Sequence, residues 1–145
     1  MLTIKRFQPN DMFSVIKLAS ETLPEQYNPN LFNYFYETFP QYFLVAKKFQ
    51  KIVGFIAGVK INAENARILM LAVSEKQRRQ GIGSYLLNNF LKEIFSREIK
   101  HVELEVTTKN KQAIRFYQKH GFNIEETVSK FYQNGEDAYI MRRIF

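Results

Sequence analysis

The chain has 145 residues, of which 46% are apolar and 15% aromatic, so it can build a real core and is not disordered. It contains no cysteine, which excludes a disulfide framework, a thiolate zinc site and an acyl-thioester intermediate on the protein. Its formal charge of +7 favours an anionic partner, such as a phosphorylated cofactor, a nucleic acid or an acidic peptide.

The N-terminal segment, residues 1–7, lacks the apolar stretch of a secretory signal, and no apolar run approaches membrane-spanning length. We therefore expect a cytoplasmic protein without a membrane segment, formed by a single domain over residues 1–145. Nothing pairs His101 with His120 as metal ligands, so no metal site is expected.

Hydrophobic periodicity predicts an α/β fold with a mixed sheet, in the order β-α-α-β-β-β-α-β-α-β-β. After the first strand come two helices, the first capped by Asn10 or Asp11 and the second ending before Pro40. Asn28 and Pro29 predict a loop between these helices. The fourth and fifth strands should be parallel, joined by a right-handed crossover helix. The predicted strands cover residues 3–7, 42–47, 52–61, 67–74, 101–107, 122–132 and 138–145, and the predicted helices about 12–19, 31–39, 81–97 and 111–119.

The most informative segment is the basic turn between the fourth strand and the following helix, residues 77–84. Gly81 and Gly83 have no Cβ, so a phosphate could approach the main chain there. The first amides of the helix and its dipole would add to such an anion site, with charge from Arg78 and Arg79. The alternative is a surface turn with two solvated arginines. The segment is neither a dinucleotide fingerprint, which needs a third glycine, nor a nucleoside-triphosphate loop, which needs Gly-Lys-Ser/Thr.

A second motif follows the fifth strand: Asn110 precedes the run Ala113-Ile114-Arg115-Phe116-Tyr117, and Gly121-Phe122 closes the helix. Together with the glycine turn, this motif resembles the GCN5-related N-acetyltransferase superfamily, and the resemblance runs from the first strand to the last hairpin. Within the superfamily the chain is similar to protein N-terminal acetyltransferases of RimI type and of the archaeal NatA type. The shorter matches are Leu23-Pro24-Glu25-Gln26-Tyr27, Leu104-Glu105-Val106 and residues 131–139, in which Phe131 stands where the family usually has a tyrosine.

The resemblance implies acetyl-CoA as the donor, with coenzyme A as a product. It places the pyrophosphate on the main-chain amides of residues 79–84 and the pantetheine arm along the main chain of the fourth strand. Asn110 would contact the cofactor, cap the next helix, or do both. The implied cofactor-binding residues are Leu71, Ala72, Val73, Arg78, Arg79, Gln80, Gly81, Ile82, Gly83, Ser84 and Asn110.

The resemblance also assigns Glu105 as the base and Tyr117 as the proton donor to the departing thiolate. Period two puts Glu103 and Glu105 on one face of the fifth strand, where Glu103 is expected to be a surface carboxylate. Spacing alone would make Tyr117 a half-buried core aromatic. A glutamate pKa of about 4.3 lies far below that of an α-ammonium, about 7.7–8.0, so a raised pKa of Glu105 or a relay water is expected. A lysine ammonium, at about 10.4, would be harder to deprotonate, which favours an α-amine acceptor.

The implied acceptors are therefore protein N-termini or peptides, of the ribosomal-protein or nascent-chain type, with proximity to the ribosome as an option. The implied peptide groove is lined by Glu25, Tyr27, Tyr132 and Tyr139. Because the chain has no cysteine, the amine should attack acetyl-CoA directly in a ternary complex. The alternative is an acetyltransferase acting on small amines, which would share the cofactor half. A nucleic-acid- or ribosome-binding module is a third hypothesis, which the scattered basic residues favour less.

Overall fold

The structure of the protein, a computed structural model, describes residues 1–24 and 27–145. Its element order confirms the predicted sequence of strands and helices. The strands are β1 Leu2–Arg6, β2 Phe43–Lys48, β3 Lys51–Lys60, β4 Asn65–Val73, β5 His101–Thr107, β6 Asn123–Val128 and β7 Ala138–Ile144. The helices are α1 Met12–Thr22, α2 Pro29–Thr38, α3 Ile82–Ser96 and α4 Lys111–Lys119.

The strands of the described residues form one mixed sheet in the order β1-β2-β3-β4-β5-β7-β6. β4 and β5 are parallel, as predicted, whereas the other neighbours are antiparallel. The α/β class and the mixed sheet are therefore confirmed. Within residues 1–24 and 27–145, no helix combines the length and the apolar character needed to cross a membrane.

Helices cover both faces of the sheet. On one face, α3 buries apolar side chains that recur every three to four residues, which is the pattern of an amphipathic helix. It lies close to β3 because Gly58 has no side chain: a Cβ there would lie 2.6 Å from the Phe90 ring. On the other face, α1 and α2 enclose an aromatic cluster in which the Phe7 and Phe43 rings stack at 4.2 Å.

β4 contains a bulge, and because of it the buried side chains of this strand pack into the cores on both faces of the sheet. Ile68 pairs with Gly58 and Met70 with Ala57, so the intervening Leu69 has no partner on β3. Because side chains alternate along a strand, one extra residue moves the following ones to the opposite face. Accordingly, Ile68 belongs to the core under α3, whereas Met70 belongs to the core under α1 and α2.

One local prediction was wrong and another was confirmed only in position, both because of the hydrogen bond that a side chain makes. Asn28 and Pro29 begin α2 rather than a loop: the Asn28 side chain accepts a hydrogen bond from the Asn30 amide at 2.9 Å, and Pro29 occupies the first turn. Asp11 occupies the N-cap position of α1, which was one of the two predicted alternatives, but its side chain makes no capping hydrogen bond there. Its buried carboxylate instead accepts a bond from the Gln8 amide at 2.9 Å and pairs with Lys47 at 2.9 Å.

The last hairpin is also shorter than predicted. β6 ends at Val128, so residues 129–132, which were expected to continue the strand, belong to the connection to β7. The Tyr132 amide donates to the Glu136 carbonyl at 3.1 Å, and the Gly135 amide donates to the Tyr132 carbonyl at 2.9 Å. These bonds turn the chain back on itself before β7 begins.

Candidate active site

A gap opens in the middle of the sheet where the two parallel strands separate. Pairing between β4 and β5 covers three residue pairs, from Asn65 opposite His101 to Arg67 opposite Glu103. Beyond Arg67, β4 remains paired with β3 as far as Val73, and β5 remains paired with β7. The facing edges of the two strands therefore have main-chain groups that no described strand satisfies.

Two adjoining cavities occupy this gap. The first measures ≈ 540 Å³, a size typical of small-molecule sites, and lies between the end of β4, the glycine turn and α4. The second measures ≈ 420 Å³ and lies between β4, β5 and the segment around Phe131 and Tyr132. Both cavities are lined by Leu71, Asn110 and Tyr117, so these residues form part of the boundary between them.

Nearly all of the predicted cofactor-binding residues line the first cavity. The exception is Gln80, whose side chain accepts a hydrogen bond from Lys48 at 2.9 Å. Any contribution of Gln80 would therefore come from its main chain. The predicted residues that line the cavity are Leu71, Ala72, Val73, Arg78, Arg79, Gly81, Ile82, Gly83, Ser84 and Asn110.

The glycine turn presents its amides in the manner of an anion site. Gly81 is left-handed, with φ of 79°, and Arg79 is also left-handed, with φ of 65°. No side chain among the described residues caps α3, and the Tyr85 amide donates to the Gly81 carbonyl at 3.0 Å. The amides of residues 82–84 therefore precede the helical hydrogen-bonding pattern. Such a concavity of main-chain amides at a helix start favours a phosphate.

Asn110 has the capping role that the sequence suggested. Its side-chain oxygen accepts a hydrogen bond from the Ala113 amide at 3.1 Å, at the start of α4. The same residue lines both cavities. Because the cap uses the side-chain oxygen, it leaves the amide group as a donor toward a ligand.

Tyr117 is partly buried on α4 at the boundary between the cavities. Its ring packs edge-on against Phe116 and Phe122, with centroids 5.2 and 5.6 Å away. Burial raises the pKa of the Tyr117 phenol above its ordinary value. The hydroxyl therefore stays protonated near neutral pH, which is the state of a hydrogen-bond donor.

Glu105 lines the second cavity and lies beside a positive charge. The Arg67 guanidinium approaches its carboxylate at 3.6 Å, and 20% of the Glu105 side chain is exposed. Burial alone lowers the pKa of Arg67, but the hydrogen bond to Glu103 and the charges of Glu105 and Glu103 raise it above its ordinary value. The guanidinium thus remains a fixed cation beside the candidate base.

Glu103 is not the surface carboxylate expected from the sequence. Only 15% of its side chain is exposed, and it receives hydrogen bonds from Arg67 at 2.9 Å and from Arg142 at 3.1 Å. These arginines lie directly opposite Glu103 on β4 and β7. Burial by itself raises the pKa of Glu103, but the two hydrogen bonds and charges hold it below its ordinary value.

The predicted peptide-binding residues fall into three groups. Tyr27 and Tyr132 line the second cavity together with Glu105. Tyr139 lines neither of the two cavities; it lies opposite Val106 and packs against the core under α3. Glu25 lies outside the described residues. Phe131 also lines the second cavity, so the hydroxyl of the usual tyrosine is lost from the site itself.

The comparison with known proteins agrees with this geometry. Residues 12–122 match the Acetyltransferase (GNAT) family, which is more than half of the chain. The chain belongs to this family.

Relatives and solved structures place this GNAT protein more narrowly. An N-alpha-acetyltransferase of Sulfurisphaera tokodaii is 30% identical to it, over 95% of this chain and 90% of the relative. The crystal structure of Ard1 from Thermoplasma volcanium has a TM-score of 0.95 and 40% identity, and covers 99% of this chain and 97% of that one. Arabidopsis thaliana Naa50, solved in complex with the bisubstrate analogue CoA-Ac-MVNAL, has a TM-score of 0.87 and 27% identity, with 99% of each chain covered.

Several residues of the GNAT site were not found by sequence reasoning. Leu23, Pro24 and Ala113 line both cavities, and Phe116 lines the first. These four residues lie within the Leu-Pro segment and the Ala-Ile-x-Phe-Tyr motif, so their proximity to a ligand could have been inferred. Arg67 gave no such signal, because its approach to Glu105 depends on the parallel register of strands that are far apart in sequence.

Among the described residues, no group of three or more histidine, aspartate or glutamate side chains is arranged to hold a metal ion. The two glutamates of β5 are instead paired with Arg67 near the gap. The groups that the candidate site offers to a substrate are a carboxylate, phenols, main-chain groups, the Asn110 amide and the guanidinium groups of Arg78 and Arg79.

Proposed function

We propose that this protein transfers the acetyl group of acetyl-CoA to the N-terminal α-amine of proteins or peptides. The observation that carries the proposal is the pair of adjoining cavities that meet at Tyr117, with the glycine turn in one and Glu105 in the other. Similar proteins support it, since they include an N-alpha-acetyltransferase and a complex with CoA-Ac-MVNAL.

The first cavity fits coenzyme A in three respects. The amides of the glycine turn would hold the pyrophosphate, with Arg78 and Arg79 supplying charge. The edge of β4 at residues 71–73, which no described strand covers, would pair with the amides of the pantetheine arm as an added strand does. The Val73 carbonyl already accepts a hydrogen bond from Arg78 at 3.2 Å. Asn110 would donate a hydrogen bond from its side-chain amide to the pantetheine arm. When bound, acetyl-CoA supplies an acyl group activated as a thioester.

The second cavity would hold the acceptor, with Tyr27 and Tyr132 binding the peptide main chain beside Glu105. Glu105 would bind the α-ammonium and help to remove its proton, directly or through water. Tyr117 would donate a hydrogen bond to the departing sulfur, because it lies where the cavities meet. With no cysteine in the chain, the amine attacks the thioester directly in a ternary complex.

Acceptors of the ribosomal-protein or nascent-chain type, and a cytoplasmic location, belong to the same proposal. They are supported by the resemblance of residues 23–27 and 131–139 to N-terminal acetyltransferases. The net charge of +7 is compatible with work close to the ribosome, whose surface is anionic.

Incubation of the protein with acetyl-CoA and short peptides tests the proposal, with thiol release as the rate and mass spectrometry to locate the acetyl group. We expect modification of the α-amine and none of an internal lysine. The matched control is the same peptide with its N-terminus already blocked. Acetylation of polyamines, aminoglycosides or free amino acids, with peptides left unmodified, would favour the small-amine alternative.

A further inference from the structure

Four charged side chains meet at the point where β4 and β5 begin to separate. Arg67 is the last residue of β4 that pairs with β5, and it lies opposite Glu103. Glu103 lies opposite Arg142 on its other side, in β7. Glu105 follows two residues later on the same face of β5 as Glu103. The candidate base is therefore adjacent to a charged cluster that spans three strands.

The contacts in this cluster divide the Arg67 guanidinium between the two glutamates. Its Nε and Nη2 both donate to Oε1 of Glu103, with the Nε bond at 2.9 Å, while Nη1 lies 3.6 Å from Oε1 of Glu105. The other oxygen of Glu103 accepts from Arg142 at 3.1 Å. Both oxygens of Glu103 are thus engaged, and Arg67 is fixed in one orientation with its remaining nitrogen toward Glu105.

We propose that Arg67 is a positioning residue for acetyl transfer: it keeps the Glu105 carboxylate ionised and oriented at the acceptor cavity, and Glu103 holds Arg67 in place. The inference rests on the proposed role of Glu105. It assigns to Glu103 the part of an anchor, because a carboxylate bonded by two arginines is not a base.

This arrangement makes the negative charge of Glu105 independent of pH near neutrality. Arginine does not lose its proton in proteins, and a cation beside a carboxylate favours the ionised form. Other charged or titratable groups near Glu105 include Glu103 on its own strand, Arg142 on the same face of β7, and the phenols of Tyr27, Tyr117 and Tyr132, which line the same cavity. An ionised Glu105 attracts the substrate ammonium and takes up its proton, directly or through a water molecule. Because the carboxylate is held ionised, it then releases that proton to the solvent.

The test is a direct titration of Glu105 in the full chain, followed by ¹³C NMR of glutamate carboxyl groups. The signal of Glu105 is identified by its loss in Glu105→Gln. In Arg67→Gln we expect its midpoint to rise by about 1 unit or more. Arg142→Gln is the matched control: it removes the arginine that bonds the other oxygen of Glu103, so the midpoint of Glu105 should move much less.

Kinetics add a second readout, which is the change in kcat compared with the change in coenzyme A affinity. A general disturbance of the fold would be expected to alter both. Arg67→Gln should lower kcat with little change in coenzyme A affinity, and Arg67→Lys should restore part of kcat because it keeps the charge. An unchanged Glu105 midpoint in Arg67→Gln overturns the proposal. If that variant does not fold, the unaltered protein decides: a Glu105 midpoint near neutrality overturns the proposal, and one near or below that of free glutamate supports it. The titration needs no substrate, so it stands even if peptide acetylation is not observed.

Discussion

Tyr117 combines a proton-donating group with a position shared by both cavities. Burial raises the pKa of its phenol, whereas a thiol has an ordinary pKa of about 8.5. Complete transfer of the phenol proton to a free thiolate is therefore unfavourable. We infer that Tyr117 acts by donating a hydrogen bond as charge develops on sulfur, and that the proton reaches the thiolate from a more acidic source.

Substitution of the two predicted catalytic side chains should separate turnover from cofactor binding. We expect Glu105→Gln and Tyr117→Phe each to lower kcat by about a hundredfold or more, because proton-handling groups contribute at that level. Affinity for coenzyme A, measured by calorimetry, should stay nearly unchanged. Because the raised pKa keeps the phenol protonated, the unaltered protein should show no loss of kcat from Tyr117 between neutral pH and the ordinary tyrosine pKa of about 10.

A matched control is Tyr34→Phe, which removes a half-exposed phenol on α2. It should leave kcat and its pH dependence unchanged. Full turnover in both Glu105→Gln and Tyr117→Phe would remove these side chains from the mechanism. A fall in coenzyme A affinity instead of kcat would mean that they bind rather than act on the proton.

In the turn at the start of α3, glycine is needed at position 81 because of the backbone conformation and not because a side chain would lack space. A Cβ added to Gly81 would meet no atom closer than 3.7 Å, but its φ of 79° is one that L-residues rarely adopt. The left-handed conformation costs a non-glycine residue about 1–2 kcal/mol. A side chain there would therefore shift the amides that face the first cavity.

We expect Gly81→Val to weaken coenzyme A binding by about tenfold or more, as measured by calorimetry, because 1.4 kcal/mol corresponds to a factor of about ten. Gly135→Val is the matched control. Gly135 has a similar φ of 85° and no atom within 4 Å of an added Cβ, yet it does not line the first cavity. Equal loss of affinity in the two variants would point to general destabilisation.

Local backbone conformation was predictable from the sequence wherever a single residue type favours one conformation. The glycine turn, the Asn110 cap and the alternation along β5 were all derived in this way, and the order of elements followed from periodicity. Asn28 was misassigned because asparagine followed by proline suits a loop and a helix start equally well.

Contacts between distant strands were not predictable from the sequence. Glu103 was expected at the surface because its partners, Arg67 and Arg142, are brought to it by the register of three strands. The bulge at Leu69 is likewise invisible in a strand whose buried positions alternate without interruption. Both features arise when the sheet assembles, so a residue pattern within one strand does not encode them.

The stability of the fold depends on pH through Glu103 and the two arginines that bind it, Arg67 and Arg142. Because the pKa of Glu103 is lowered in the folded state, its stabilisation is fully present above the unfolded pKa of about 4.3 and is lost as the pH falls through the folded value. Glu103→Gln should lower the free energy of unfolding at pH 7 by about 1–3 kcal/mol, because two arginines lose their charged partner. The difference from the unaltered protein should shrink toward a pH of about 3.

Urea unfolding at both pH values measures this effect. Glu64→Gln is the control, since the ion pair of Glu64 with Lys100 is exposed and should matter much less. A difference between Glu103→Gln and the unaltered protein that is the same at neutral and at acidic pH would contradict the assignment, because it would show that the contribution does not depend on ionisation.

Because β4 and β5 pair over a short length, a bound substrate can add contacts between the two halves of the sheet. The half of the sheet that carries the glycine turn is hydrogen-bonded to the half that carries Glu105 along three residue pairs of β4 and β5, and through the contact between Arg67 and Glu103. A molecule lying in the gap would contact both halves and so connect them while it is bound. We therefore expect bound substrates to stabilise the framework that aligns the reacting groups, and product release to remove that stabilisation.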